Sequence, residues 1–265
     1  MEPRSSAWII GIGLAGCVPS GSASREQDAG APTPTEPRPT AGPRPAATAP
    51  SGDAIKAPFE ATFDRVAGPS ASTGDSAPAA GDPGPDWVAT APNVWRIEGG
   101  RLCGERAHNH GIWLNRVLPV NARIEFDAVS DAVDGDLKAE YWGDGRSAAT
   151  ALSYTNATSY LTIFGGWHNK FHVLARMNEH GGDRKEITVD PSSDDPREKP
   201  VVAGQMYRFK VERADGKTVK WWVDGNEMLS FADSAPLAGA THDHFGFNDW
   251  EVKVCFENVR IVPLP

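Results

Sequence analysis

The residues of this chain best equipped for chemistry lie in two short segments whose alternation would gather polar side chains on one side of a strand. In LKAEYW, Lys138, Glu140 and Trp142 share a side; in KFHVLARM, His172 and Arg176 oppose Phe171, Val173 and Ala175. On neighbouring strands, Glu140 and His172 would supply an acid and a base. Lys138 and Arg176 would hydrogen-bond a polar ligand, and Trp113 and Trp142 would stack on it. The same residues also make an ordinary ion-pair row, which needs no cleft and no perturbed acid.

A second group of reactive types closes the chain, in HDHFGFNDWEVKVCFENVRI from His242 to Ile261. His242-x-His244, like His108-x-His110, would present two imidazoles on one face. Zinc needs a third or fourth ligand, and no H-E-x-x-H or Cys/His framework accompanies either pair, so both read as surface residues near turns. His242, His244, Asn248, Asp249 and Trp250 are expected to rim a ligand groove rather than to catalyse.

The elements that must position these residues are strands. From Val94 onward, stretches such as GIWLNRVLP, NARIEFDAVS and SYLTIFGGW alternate apolar with polar residues, and Gly, Asp and Asn turns separate them at short spacing. MYRFKVERADGKTVKWWVDG reads as a hairpin around Asp215-Gly216. Its alternation turns Tyr207, Phe209, Val211, Val219, Trp221 and Val223 inward. Trp222 faces outward, either to stack on a ligand or to cover Lys220 in a cross-strand pair. No segment carries a long amphipathic helix, so an antiparallel sandwich or jelly roll is predicted over residues 57–265.

Residues 1–17 form an apolar run, Ala7 to Gly16, ended by a cysteine. This length suits a signal-peptide h-region rather than a permanent span, and Leu14-Ala15-Gly16-Cys17 resembles the lipobox of bacterial lipoproteins, with Cys17 as the lipid-bearing residue. Val18 is not the aspartate that retains many such proteins in the inner membrane, which points to the outer membrane. Residues 18–56 are almost pure Pro, Ala, Thr, Ser and Gly, and are expected to be a disordered tether with a reach of about 100 Å when extended. Charges cancel in both stretches, so the net charge of −9 belongs to residues 57–265. That acidity argues against nucleic acid and against adsorption to anionic lipid. Removing Cys17 leaves Cys103 and Cys255, which read either as a disulfide in an oxidising compartment or as two buried thiols.

W-x-I-x-G-G-x-L from Trp95 to Leu102, the YRFKVER and WWVDG segments, and the terminal HFGF and V-x-F-E-N-V-R-I stretches resemble strands of concanavalin A-like lectin/glucanase domains. The similarity is greatest to the 3-keto-disaccharide-hydrolase-type and laminin G-like members carried by exported bacterial proteins. Such a fold has its first and last strands adjacent, which implies a Cys103–Cys255 disulfide. It also often holds calcium through acidic side chains, for which Asp64, Asp249 and Glu257 are the oxygen ligands on offer. Family 16 glycosidases on this fold carry a Glu-x-Asp-x-x-Glu strand; here Glu125, Asp127 and Ser130 occupy those places, so the second catalytic carboxylate is absent. The Gln-x-His and Tyr-x-Lys strands of alginate lyases are likewise absent.

The reading that follows is a monomeric, lipid-anchored envelope protein whose sandwich binds carbohydrate through Trp113, Lys138, Trp142, Arg176, Trp222, Asp249 and Trp250. A sugar-active enzyme using Glu140 and His172, and an envelope interaction module without a glycan site, are its alternatives. For the anchor, Cys17→Ala is expected to move the protein from the detergent phase to the aqueous phase in phase partitioning. Unchanged partitioning would exclude lipidation at Cys17.

Overall fold

The computed structural model describes residues 52–63 and 81–265, and in them the period-two segments fold into two antiparallel sheets. The strands are β1 (Phe59–Ala61), β2 (Trp87–Ala89), β3 (Trp95–Glu98), β4 (Arg101–Gly104), β5 (Ile112–Leu114), β6 (Ala122–Ser130), β7 (Leu137–Gly143) and β8 (Tyr160–Gly165). They continue as β9 (Phe171–Arg176), β10 (Lys185–Thr188), β11 (Met206–Arg213), β12 (Thr218–Val223), β13 (Asn226–Ala232), β14 (His244–Asn248) and β15 (Val254–Pro263). One sheet runs β13-β12-β11-β6-β15-β4-β3, with β1 also paired to β15; the other runs β10-β9-β8-β7-β14-β5-β2.

Turn chemistry sets the registers. Gly99 and Gly100 both take positive φ, as the tight β3–β4 hairpin requires. In the β11–β12 hairpin, the Asp215 carboxylate accepts from the backbone N–H groups of Lys217 and Thr218 and from the Thr218 hydroxyl. These bonds, led by that of the Thr218 N–H, hold its carboxyl down at about 2. The inward residues read from alternation, Tyr207, Phe209, Val211, Val219, Trp221 and Val223, are all buried between the sheets. Aromatic rings bridge the two layers. Phe247 of β14 stacks on Phe256 of β15 at 3.9 Å between centroids, and Phe126 of β6 meets the same Phe247 edge-on at 5.1 Å.

Two strand details depart from simple alternation. The β7–β14 pairing skips a residue, with His244 opposite Gly143 and Phe245 opposite Tyr141. Trp142 is the extra residue, at φ +51, and the bulge turns its indole into the core. A second irregularity, at Glu257-Asn258 in β15, matches the broken alternation there, with Asn258 at φ +54.

The ends of the sandwich differ from expectation too. β2 begins at Trp87, the last residue of the Pro/Gly-rich run 67–87, where its indole docks on Phe247 with ring centroids 5.6 Å apart. Ile55 is buried and its N–H donates to the Val117 carbonyl, so the fold takes in residues placed in the tether. Cys17, most of that tether and Asp64 lie outside the described residues.

Cys103 and Cys255 face each other across the β4–β15 pair and are disulfide-bonded, as the resemblance implied. Their sequence separation of 152 makes this a long-loop crosslink, whose removal is expected to cost roughly 2–5 kcal/mol. Comparing denaturant midpoints of the oxidised protein and a Cys103→Ala/Cys255→Ala variant measures this. Equal midpoints would show that the bond contributes nothing to stability.

Candidate functional site

The face of the seven-stranded sheet that points away from the sandwich core carries Trp113, Lys138, Glu140, Leu161, Ile163, Val173 and Ala175. It is not an open groove. The segment 144–159 crosses it, and Tyr154 and Ala157 pack with Leu161, Ile163, Val173 and Ala175 into a second small core. Glu140 lies at 0% exposure beneath this cover. Its carboxylate accepts from Asn248 Nδ2 at 2.6 Å, Ser159 Oγ at 2.6 Å and Tyr154 OH at 3.2 Å. Burial pushes its pKa up to about 7 against these three donors.

This arrangement corrects the pairing of Glu140 with His172. Val173 and Ala175 share the outward face with Glu140, so His172, Leu174 and Arg176 point the opposite way. His172 stacks on Phe164, 4.3 Å between centroids; its Nδ1 accepts from the Gly165 N–H and its Nε2 pairs with the Lys199 carbonyl. Burial lowers its pKa to about 4, so it is a neutral structural imidazole. Arg176 bonds the Asp233 carboxylate at 2.7 Å and the Ala235 carbonyl.

The tryptophans are redistributed as well. Trp113 does share the outward face, but its indole lies against Gly143 and Gly246 and is only 1% exposed. Its Nε1 donates to the Ser147 carbonyl of the covering segment. Trp142 is in the core, with the Arg213 guanidinium 3.9 Å from its ring centroid. Trp222 is on the other sheet, where it covers Lys210, 3.7 Å from its ring, rather than Lys220. Glu257, also on that sheet, pairs with Arg101, whereas Asp249 is buried beyond the end of β14. The proposed calcium ligands Asp249 and Glu257 therefore do not converge. Among the described residues no three His, Cys, Asp or Glu side chains gather as a metal site.

What remains open is a pocket of 260 Å³ at one end of the covered face. Lys138 and Ile163 line it from the strands, and Trp250, Trp167, His168 and Glu179 line it from loops. Lys138 and Trp250, both predicted as ligand-binding residues, are thus brought together, with Asp249 just behind them. The Lys138 ammonium donates to Asn109 Oδ1 at 2.7 Å and to Glu179 Oε2 at 3.0 Å. Burial works against this ammonium, yet Asp136 and Glu179 together hold its pKa above the ordinary lysine value. Asp249 Oδ2 accepts from the Ala107 N–H, whereas its buried Oδ1 has no hydrogen-bond partner. Burial, then the charge of Asp136, pushes the Asp249 carboxyl up to about 7.

The pocket wall is backbone in unusual conformations. Asn109, Asp136, Trp167 and His168 all have positive φ, between +53 and +65, as does Asn169. Such residues persist only where the surroundings over-determine them. Here the Asn169 amide donates to the Val133 and Val201 carbonyls and its Oδ1 accepts from the Val201 N–H, joining three loops. Gly135 permits the close approach, since a Cβ there would lie 2.6 Å from the Gly165 carbonyl oxygen. Asn109, Asp136, Trp167 and Glu179 escaped the sequence reading because they stand in turns, where alternation assigns no face.

Two antiparallel sheets, with the strands of the chain ends side by side, define a concanavalin A-like jelly roll. No family model and no curated protein sequence matches the chain. Among solved structures it is similar to a carbohydrate-binding module from Bacillus subtilis, with 18% identity and a TM-score of 0.50 over 67% of this chain and 96% of that one. It is also similar to a β-glucanase from Bacillus licheniformis, with 11% identity and a TM-score of 0.47 over 78% and 98%. A putative glycosyl hydrolase from Parabacteroides distasonis gives 17% and 0.44 over 68% and 89%. At 18% identity the first of these likenesses shows the fold alone.

Glu140 supplies a direct test of the covered face. Glu140→Ala strands three buried donors and is expected to cost about 3–5 kcal/mol in denaturant unfolding. Its pKa of about 7 lies above the ordinary 4.5, so the folded state keeps this proton longer than the unfolded chain. The resulting stabilisation is complete below about pH 4.5 and is lost as pH rises through 7. Relative to Glu140→Gln, the wild type should lose about 3 kcal/mol of stability between those limits. A pH-independent difference would contradict a buried, titrating carboxyl.

Proposed function

We propose that this chain is an exported, lipid-anchored carbohydrate-binding protein whose sandwich takes one sugar residue in the pocket beside Lys138 and Trp250. The observation that carries this is the pocket itself, where two indoles and several polar groups converge on a small, half-open volume. Indole faces suit the C–H faces of a sugar ring, and carboxylate, amide and ammonium groups suit its hydroxyls. Its 260 Å³ falls just below the roughly 300–1,000 Å³ of drug-sized ligand sites, which fits a single ring rather than a long chain in a cleft.

Support also comes from outside the pocket. The fold is shared with a protein described as a carbohydrate-binding module. The Cys103–Cys255 disulfide suits an oxidising compartment, and the lipobox-like Leu14-Ala15-Gly16-Cys17 supports export and anchoring in the outer membrane. Binding is favoured over hydrolysis because Glu140 and His172 lie on opposite faces of the sheet, both buried and both already hydrogen-bonded. Neither has the open substrate side that acid–base work requires.

The test is a glycan array followed by calorimetry on the hits, with a reducing-sugar assay in parallel. The expected outcome is binding without sugar release. Trp250→Ala or Trp167→Ala should weaken it at least about tenfold, the loss of ~1–3 kcal/mol typical of an aromatic contact, in variants whose circular dichroism shows the fold retained. Retained binding in both variants would move the site elsewhere, and sugar release would overturn the binding reading.

A further inference from the structure

The charge of the pocket says more about the ligand than its shape does. Asp134, Asp136, Glu179 and Glu251 line it beside Lys138, and a second cation, Arg184, lies 4.9 Å from the Trp167 ring centroid and donates to the Glu179 carbonyl. Lys138 is itself committed, to Asn109 and Glu179. Asp249 stands immediately behind with its buried Oδ1 unpartnered, and both its carboxyl and that of Asp136 lie near the Trp250 backbone N–H. An unpaired buried carboxylate is costly, and a second one beside it adds repulsion. His168 and His180 lie 3.3 Å and 3.4 Å from Asp134 and Glu179, and Lys138 also pairs with Glu179, so among the described residues Asp136, Asp249 and Glu251 are the carboxyls of this group left without an ion-pair partner.

From the unpaired carboxyls of Asp136 and Asp249 beside the Trp250 indole, we infer that the pocket selects a sugar bearing a free amine, a hexosamine without its N-acetyl group, and rejects acidic sugars. The inference rests on the carbohydrate reading above. The ammonium would be held by Asp136, which lines the pocket and is only half-buried, with the unpartnered Asp249 carboxyl behind it; burial raises the pKa of both carboxyls, and an arriving ammonium would favour their charged forms. An indole face beside it adds cation–π attraction, which a neutral amide would forgo. A uronic or sialic acid would bring a fifth carboxylate to these walls.

The experiment is calorimetry of the full-length protein with four probes: glucosamine tetramer, N-acetylglucosamine tetramer, cellotetraose and a glucuronate oligomer. The amine-bearing tetramer is expected to bind at least about tenfold more tightly than its N-acetyl counterpart, with the advantage shrinking as salt rises. The glucuronate oligomer should not bind. Asp136→Asn, which keeps shape and removes charge, should abolish the preference in a protein that still folds, with a lowered melting temperature because Lys138 loses a compensating charge. Equal affinity for the amine and N-acetyl forms, lost in Trp250→Ala, would overturn the inference while leaving the carbohydrate reading intact. An absence of binding by any sugar probe would overturn both. Butylamine binding as tightly as glucosamine would overturn the assignment to a sugar.

Discussion

The Glu140 carboxylate takes hydrogen bonds from β14, through Asn248, and from the covering segment, through Tyr154 and Ser159. It is a polar seam along which residues 144–159 are fixed to the seven-stranded sheet, beside the Trp113 Nε1 bond to the Ser147 carbonyl and the small apolar cluster around Leu161 and Val173. Without acceptors for those three donors, the cover would hold buried polar groups with no partner, and the sheet face would be a different surface. What the sheet can offer a ligand is therefore decided by a residue that touches no ligand. The cover confines access to the end where β7 begins and the loops meet.

The same strand serves two environments in alternate positions. Glu140 is sealed among neutral donors, whereas Lys138, two residues earlier on the same face, sits among carboxylates at the pocket. Burial raises the pKa of the first because nothing adjacent compensates it fully, and the second stays charged because Asp136 and Glu179 outweigh its burial. Across the sandwich, the eight-stranded sheet presents paired charges such as Arg208–Asp127 and Arg123–Glu212, which satisfy one another and leave little for a partner.

Period-two alternation in the sequence carried the sandwich itself. Inward residues from Phe126 to Trp221, the hairpin at Asp215-Gly216 and the irregularity at Glu257-Asn258 were all legible in it. It failed where one residue shifts the count. The bulge at Trp142 reverses that side chain, and the face of β9 could be assigned only by knowing which side the segment 144–159 would cover. His172 reads as outward polar because an imidazole looks hydrophilic. The fold uses it as a flat, neutral filler against Phe164. Lys138 and Trp250 were legible as ligand residues, but their neighbours were not. Asp136, Glu179 and Trp167 are brought in by turns whose positive φ values follow from long-range packing rather than from local preference.

The side-chain amide of Asn169 ties the loops carrying Val133 and Val201 to its own left-handed turn, next to Trp167 and His168 of the pocket wall. Loops at a binding mouth usually surrender their conformational entropy when a ligand arrives, and affinity falls by that amount. Here that part of the rim has lost its freedom by the time the chain has folded. A ligand entering beside it has mainly its own motion to give up.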